Sequence, residues 1–440
     1  MDFTLLTFIY CLLFFKNFFV QSSSNGDYAF ETRERNRLNI HANKFDLPIS
    51  YYKSTLWYEI SYKNGDLIVE EVLDEIRNNT CITFEEKLNY SEIVIPEEKA
   101  LKNGLWYFRD LQNCSINSIG LCNKGKYCNL ILLTDDCSED KGLIRKFTLE
   151  SLGIVPPHLR NDNAKYINVF ISNMTEKGRK IFNGIYVPIN LTYGIDYDYS
   201  SATHSDTKIY SIDGEKKTVE PKEYYREYYE YMMGQREEAT FLDYKLLNLY
   251  YCSDKCPKKI ECKNSGYQDY NDCTKCICPV GFTGRYCENY KLGPESSCGF
   301  HIVYAKDYLQ HIDKQSNTFC QYFIFTQGAK YIYISFNSFL GGENYKKCVP
   351  SNSIEVRYKL DLSKPGLCLC YTDYSDPELV SEGSKMIVIY NSNFYPNFKY
   401  MAVSDSRFSY DKLRKDQKTS KLRDEEEDKK IYKGENYYDN

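Results

Sequence analysis

Five histidines, His41, His158, His204, His301 and His311, are all the imidazoles this 440-residue chain offers. A hydrolytic zinc centre needs three protein ligands converging on one point. The common helical solution places two histidines at i and i+4 with a glutamate beside the first. No His-Glu-x-x-His occurs anywhere in the sequence. Lys146 and Glu150 do stand at that i, i+4 spacing, and their chemistry is that of an ion pair. Such a pair contributes about 0.3–0.5 kcal/mol on an exposed helix face. A serine or cysteine nucleophile has no Ser-His pattern to activate it. The 18 cysteines are better read as disulfide partners: seven crowd between Cys252 and Cys287, a density that does not suit a reducing compartment. A zinc site is the rival reading of such a cluster, and the oxidising context argues against it.

The elements that must position these groups follow from the pattern along the chain. Leu5 to Val20 is apolar and aromatic, followed by a polar Gln21-Ser22-Ser23-Ser24 exit. We assign 1–22 as a secretory signal peptide and 23–46 as a short pro-segment or linker. Lys16 interrupts the run and argues against a transmembrane anchor, and no later stretch is long and apolar enough to span a bilayer. Asp66 caps an expected helix with Ile68, Val72, Leu73 and Ile76 at helical spacing. Cys81-Ile82-Thr83-Phe84 and Leu130 to Leu133 read as strands. A second helix is expected from Gly142 to Gly153, with Pro156-Pro157 as its stop. Strand and helix mix without a regular βα repeat, which indicates α+β. Short strands such as Tyr331 to Phe336 and Met386 to Tyr390 mark an all-β region further on. The residues after 405 are charged and almost free of aliphatics, so 406–440 is expected to be a disordered tail. A formal net charge of −5 argues against a general nucleic-acid binder. Sequons stand at Asn78, Asn89, Asn173 and Asn190 and fit secretion. The tyrosine-rich run Tyr224, Tyr225, Tyr228, Tyr229 and Tyr231 reads as a packing stripe on a helix.

Four stretches carry a family resemblance across 47–252. They are Asn79-Thr80-Cys81-Ile82-Thr83-Phe84, Cys137 through Gly142 into the following helix, Tyr197 through His204 with Thr218-Val219-Glu220-Pro221-Lys222 after it, and Gly234-Gln235-Arg236 with Phe241 through Cys252. In this order they resemble the catalytic domain of the astacin metalloproteases. Residues 253–288, ending Cys276-Ile277-Cys278-Pro279-Val280-Gly281-Phe282-Thr283-Gly284-Arg285-Tyr286-Cys287, look like an EGF-like module. Residues 298–405 resemble a CUB domain. The resemblance implies a multidomain chain: an α+β zincin-like domain, a small disulfide-rich EGF-like module, then an all-β CUB sandwich.

The family's site is His-Glu-x-x-His-x-x-Gly-x-x-His. Gly153 and the downstream Leu159-Arg160-Asn161-Asp162 fix the alignment. The three histidine positions then hold Lys146, Glu150 and Pro156, and the water-activating glutamate position holds Phe147. The Met-turn methionine is Thr203, and the oxyanion-stabilising tyrosine is Ser205; His204 matches a histidine that is structural in the family. A charged ammonium, a proline and a phenyl ring offer no metal lone pair and no base. No metal ligand or cofactor is therefore expected, although active relatives use zinc. The resemblance also implies the disulfides Cys81–Cys252, Cys114–Cys137, Cys256–Cys273, Cys262–Cys276, Cys278–Cys287 and Cys298–Cys320. Cys122 and Cys128 are close enough to pair locally. Cys348 takes Cys368 or Cys370, with Cys348–Cys368 as the assignment. The expected function is a secreted, extracellular, catalytically inactive homologue, a pseudoprotease or decoy that binds an extracellular protein or peptide. The alternatives are an active zinc metalloendopeptidase with an atypical site, or an adhesion or matrix protein using its CUB domain.

Overall fold

A computed structural model describes residues 55–60, 66–86, 104–110, 112, 114–116, 119–120, 130–184, 192–314, 318–328, 330–336, 347–370, 377–390 and 397–407. The signal and pro-segment assignments, the Cys122–Cys128 pair, the sequons at Asn89 and Asn190 and the tail from 408 lie outside these residues. The described residues fall into two compact units divided between Lys291 and Leu292, with Asn344–Asn352 grouped with the first.

The apolar spacing after Asp66 produces helix α1 (Asp66–Asn79), whose Val69, Val72, Leu73 and Ile76 are fully buried. It packs with a five-stranded sheet made of β1 (Thr55–Ile60), β2 (Thr83–Glu86), β3 (Gly104–Arg109), β4 (Ser115–Ile116) and β5 (Leu130–Leu133), in the order β2-β1-β3-β5-β4. All pairings are parallel except β4 with β5. Both faces of β5 are buried, which explains its unbroken apolar run. After a single turn, α2 (Asp135–Ser138), helix α3 (Lys141–Ser151) starts at Asp140, whose carboxylate accepts the Leu143 amide at 2.9 Å. Arg145 ties α3 to α1 through two hydrogen bonds to the Glu75 carboxylate, at 2.7 and 2.9 Å.

Helix α3 ends at Ser151, two residues before the expected Gly153. Gly153 adopts φ +105°, a left-handed conformation that costs glycine little, and its amide returns to the Glu150 carbonyl at 3.0 Å. Pro156 and Pro157 begin a separate short turn over Pro157–Leu159. Beyond it lie the antiparallel pair β6 and β7 (Ile167–Val169 with Val219–Pro221), α4 (Glu176–Gly184), α5 (Arg226–Met232) and α6 (Phe241–Tyr251). The tyrosine stripe divides as its helix turns: Tyr225 and Tyr229 are buried, whereas Tyr224 and Tyr231 are exposed. The Cys81–Cys252 disulfide joins the ends of α1 and α6, and Cys114–Cys137 closes the α2 edge. A small module follows with two short hairpins, β8–β9 (Tyr267–Gln268, Cys276–Ile277) and β10–β11 (Phe282–Thr283, Asn289–Tyr290). It carries three disulfides, Cys256–Cys273, Cys262–Cys276 and Cys278–Cys287. Asn78 is exposed, while the Asn173 amide donates to the Lys217 carbonyl at 2.8 Å.

The second unit is an all-β sandwich preceded by the turn α7 (Glu295–Cys298). Its five-stranded sheet runs β12-β14-β19-β16-β17 (Ile302–Tyr304, Cys320–Phe325, Lys385–Tyr390, Ile354–Arg357, Leu367–Leu369). Its four-stranded sheet runs β13-β20-β15-β18 (Gln310–Asp313, Asn397–Val403, Tyr331–Phe336, Glu378–Val380). Tyr322, Phe336, Tyr390 and Phe398 fill the space between the sheets, with Tyr322 edge-on to Phe398 at 5.4 Å. Cys298–Cys320 joins α7 to β14. The Cys348–Cys368 assignment is corrected: Cys348 and Cys370 are both disulfide-bonded, and Cys368 is a buried thiol. Cys368 and Cys370 share one face by strand alternation, so spacing does not choose between them. Cys368 is fixed mid-strand opposite Glu355, whereas Cys370 follows the end of β17.

Candidate functional site

Helix α3 presents the three substituted positions to the interior of the first unit. Phe147 is fully buried in the same apolar cluster as Val72, Leu105 and Ile131. Lys146 and Glu150, one turn apart, meet at 3.8 Å with their side chains only 7% exposed. The pair is thus buried, not exposed, and its worth is set by desolvation as much as by attraction. Burial pushes the Glu150 carboxyl up to about 7, against the opposing pull of Lys146 and Arg236.

The chain leaving α3 brings His158 under the helix. His158 and His204 face each other with ring centroids 5.5 Å apart, and Phe182 packs on His158 at 5.8 Å. Both imidazoles are held neutral by burial, His204 pushed down to about 3. Their hydrogen bonds fix their tautomers. His158 Nδ1 accepts the Ser205 amide at 3.1 Å, so its proton sits on Nε2. His204 Nδ1 donates to the Ser205 carbonyl at 2.8 Å, and its Nε2 accepts the Tyr197 hydroxyl at 2.8 Å.

These contacts test whether zinc fits. A neutral imidazole has one ring lone pair, and each of these two is already engaged by a protein donor. Lys146 brings a cation, Phe147 and Pro156 bring no donor atom, and Glu150 faces Lys146. Among the described residues no group of three His, Cys, Asp or Glu side chains is placed to hold a metal ion. The residues present do not fit a catalytic zinc.

The turn that carries Thr203 and Ser205 is held by α6. Asp243 accepts the Ser201 hydroxyl at 2.7 Å and the amides of Ala202 and Thr240, each at 3.0 Å. Thr240 caps α6 and also donates to Asp198 at 2.7 Å. Burial and the neighbouring Asp198 charge push the Asp243 carboxyl up to about 6. Thr203 is fully buried and bonds Ser201 through its amide at 3.2 Å. Ser205 is also buried, and its hydroxyl has no hydrogen-bond partner among the described residues. A cavity of about 40 Å³ lies beside this turn, lined by Ile154, Pro157, Arg160, Asp198, Asp243 and Tyr250. It is large enough for a water molecule.

Residues 42–252 match the family model described as Astacin, a peptidase family. This part of the chain is an astacin domain. The curated relatives are themselves zinc metalloproteinases by name. The chain is 25% identical over 401 residues to zinc metalloproteinase nas-34 of Caenorhabditis elegans, covering 88% of this chain and 61% of that protein. It is 32% identical over 209 residues to zinc metalloproteinase nas-36 of Brugia malayi, covering 46% of this chain and 35% of that protein. The chain therefore spans less than two thirds of these relatives' length. Among solved structures, the hatching-enzyme zinc-protease high choriolytic enzyme 1 of Oryzias latipes aligns over 44% of this chain and 88% of that one, at 20% identity and a TM-score of 0.35. The CUB1-EGF-CUB2 domain of human MASP-1/3 aligns over 32% and 55% at 11% identity, with a TM-score of 0.20.

The structure of the astacin domain brings together Lys146, Phe147, Glu150, His158, His204 and Ser205. The sequence places His158 only as a residue two past a ligand position. Its bond to the Ser205 amide, 47 residues away, has no local signal. The link from Tyr197 to His204 and the Asp243–Ser201 joint likewise need the fold. No described helix is long and apolar enough to cross a membrane.

Proposed function

We propose that this chain is a secreted, extracellular astacin homologue whose astacin domain binds a protein or peptide without hydrolysing it. Its modules would run in the order astacin-like 47–252, EGF-like 253–288 and CUB 298–405. One observation carries the reading: the Lys146–Glu150 pair stands on the helical face where a metal pair would be, while the lone pairs of His158 and His204 are both engaged. With no base at Phe147 and a buried serine at Ser205, water activation and oxyanion stabilisation lack their groups as well. The framework that would shape a peptide cleft, α3, the Gly153 turn and the α6 joint, remains packed. Metal analysis of the purified full chain tests the reading. Zinc well below one equivalent, with no chelator-sensitive cleavage of a mixed peptide library, is expected. One tightly held zinc per chain together with chelator-sensitive cleavage would overturn it.

The names of the relatives favour a second reading, an active zinc endopeptidase. It requires ligands other than those at the aligned positions, and the same metal analysis decides between the two.

A further inference from the structure

Strand β12 is an open edge of the second unit's five-stranded sheet, with β14 as its one neighbour among the described residues. Alternate residues bond it to that neighbour. The Phe323 amide donates to the His301 carbonyl at 2.7 Å, and the Ala305 amide donates to the Phe325 carbonyl at 2.8 Å. The main-chain groups of Ile302 and Tyr304, which stand between, therefore point outward from the sheet. This edge ends at Lys306, whose carbonyl accepts the Ala402 amide at 2.7 Å. The side chains are as open as the backbone. Ile302 and Tyr304 lie on the sheet face of Phe323 and Phe325, and Phe300 continues their alternation; the three are 48%, 56% and 79% exposed. Gly299 to Ala305 contains no charged residue and no proline, the devices that ordinarily keep a sheet edge from pairing. The other three edges are guarded: β17 is buried, β13 exposes Asp313, and β18 starts on Glu378.

We propose that β12 pairs antiparallel with β12 of a second copy of this chain, about a two-fold axis at Ile302. The strand is complementary to itself in that register. Ile302 faces its own counterpart, and Phe300 faces Tyr304 of the second copy. The outward-pointing residues then meet as hydrogen-bonded pairs, and two aromatic pairs form on the exposed face. The first charged residues on either side, Glu295 and Lys306, fall opposite Leu309 and Cys298 of the second copy, so no like charges meet. A two-fold contact closes on itself and gives dimers, not fibres. The strand is short against the roughly 20–30 residues a side of a standard interface, so the dimer is weak and concentration-dependent. The proposal makes no use of the substituted metal site and stands whichever reading of that site holds.

Sedimentation of the full chain between about 1 and 300 μM is expected to show monomer passing to dimer and no larger species. I302P deletes the two bonds at the axis, at an edge position that tolerates proline. I302K sets two ammonium groups against each other across the axis. Each is expected to weaken dimerisation roughly tenfold or more while leaving the urea midpoint at its wild-type value. Where proline lowers that midpoint, I302K and cross-linking carry the test. Cross-linking reads the register, because antiparallel hydrogen-bonded pairs stand about 5.5 Å apart between Cα atoms, within disulfide reach. Under mild oxidation F300C mixed with Y304C is expected to give a disulfide-linked dimer, and F300C alone none. Monomer at every concentration, assemblies larger than a dimer, dimers untouched by I302P and I302K, or F300C linking to itself as readily as to Y304C would each overturn the proposal.

Discussion

Helices α3 and α6 lie in the same domain, are the same length and bury polar groups to a similar extent, yet they treat those groups differently. Asp243 on α6 receives a hydroxyl and two amides, all at 3.0 Å or less. Glu150 on α3 meets Lys146 at 3.8 Å, and the neighbouring Ser151 hydroxyl has no hydrogen-bond partner among the described residues. Helix α6 is therefore a structural joint, optimised around its carboxylate. Helix α3 keeps its outer ties to α1, through Arg145 and Glu75, while its inner face is a patched surface. The turn carrying His204 is held by α6, through Asp243 and its bonds to Ser201 and Ala202.

The difference can be broken first at Asp243. D243A removes three hydrogen bonds to a charged acceptor and is expected to cost about 4 kcal/mol, read as a lowered urea midpoint. E150A leaves Lys146 in the interior without this carboxylate and is expected to cost about 2 kcal/mol, low for a buried pair because the contact is long. The K146M/E150M double variant should recover that loss or exceed wild-type stability. A double variant less stable than E150A would show that the pair is a joint like Asp243.

The pH dependence sharpens the contrast. The Glu150 carboxyl is raised from an ordinary 4.5 to about 7, so its contribution is fully present below about 4.5 and is lost as pH rises through 7. His204 works in the opposite direction. Depressed from 6.5 to about 3, it contributes above 6.5 and loses that contribution as pH falls towards 3. The two oppose each other between pH 4.5 and 6.5, so the difference between wild type and E150Q isolates Glu150. E150Q should gain on wild type steadily from about pH 4.5 to about 7.5 in chemical denaturation, and a flat difference would contradict the burial of this carboxyl. The smallest effect is expected at Ser205. S205A removes a buried hydroxyl that has no partner among the described residues, and should leave stability unchanged or raise it by about 0.5–1 kcal/mol.

Much of this is legible in the chain itself. The α1 spacing and the apolar run of β5 announce their elements because burial on one face or on both leaves a local period. The substituted positions can be read because Gly153 and Leu159 to Asp162 fix the frame on both sides. The helix expected over Gly142 to Gly153 ends at Ser151, two residues earlier, because Gly153 turns left-handed and takes the chain out of the helix before the prolines are reached. Local spacing cannot choose between Cys368 and Cys370, which share a face and differ only in where β17 ends. The engaged imidazole lone pairs are out of reach for another reason: the Ser205 amide and His158 are neighbours only after the chain has folded back across 47 residues.

The bond between Cys81 and Cys252 encloses a covalent ring with a sequence separation of 171 residues. A single nick anywhere inside that ring frees no fragment. Cleavage by a protease between these two cysteines would stay invisible on a non-reducing gel and appear as two bands only once the disulfide is reduced.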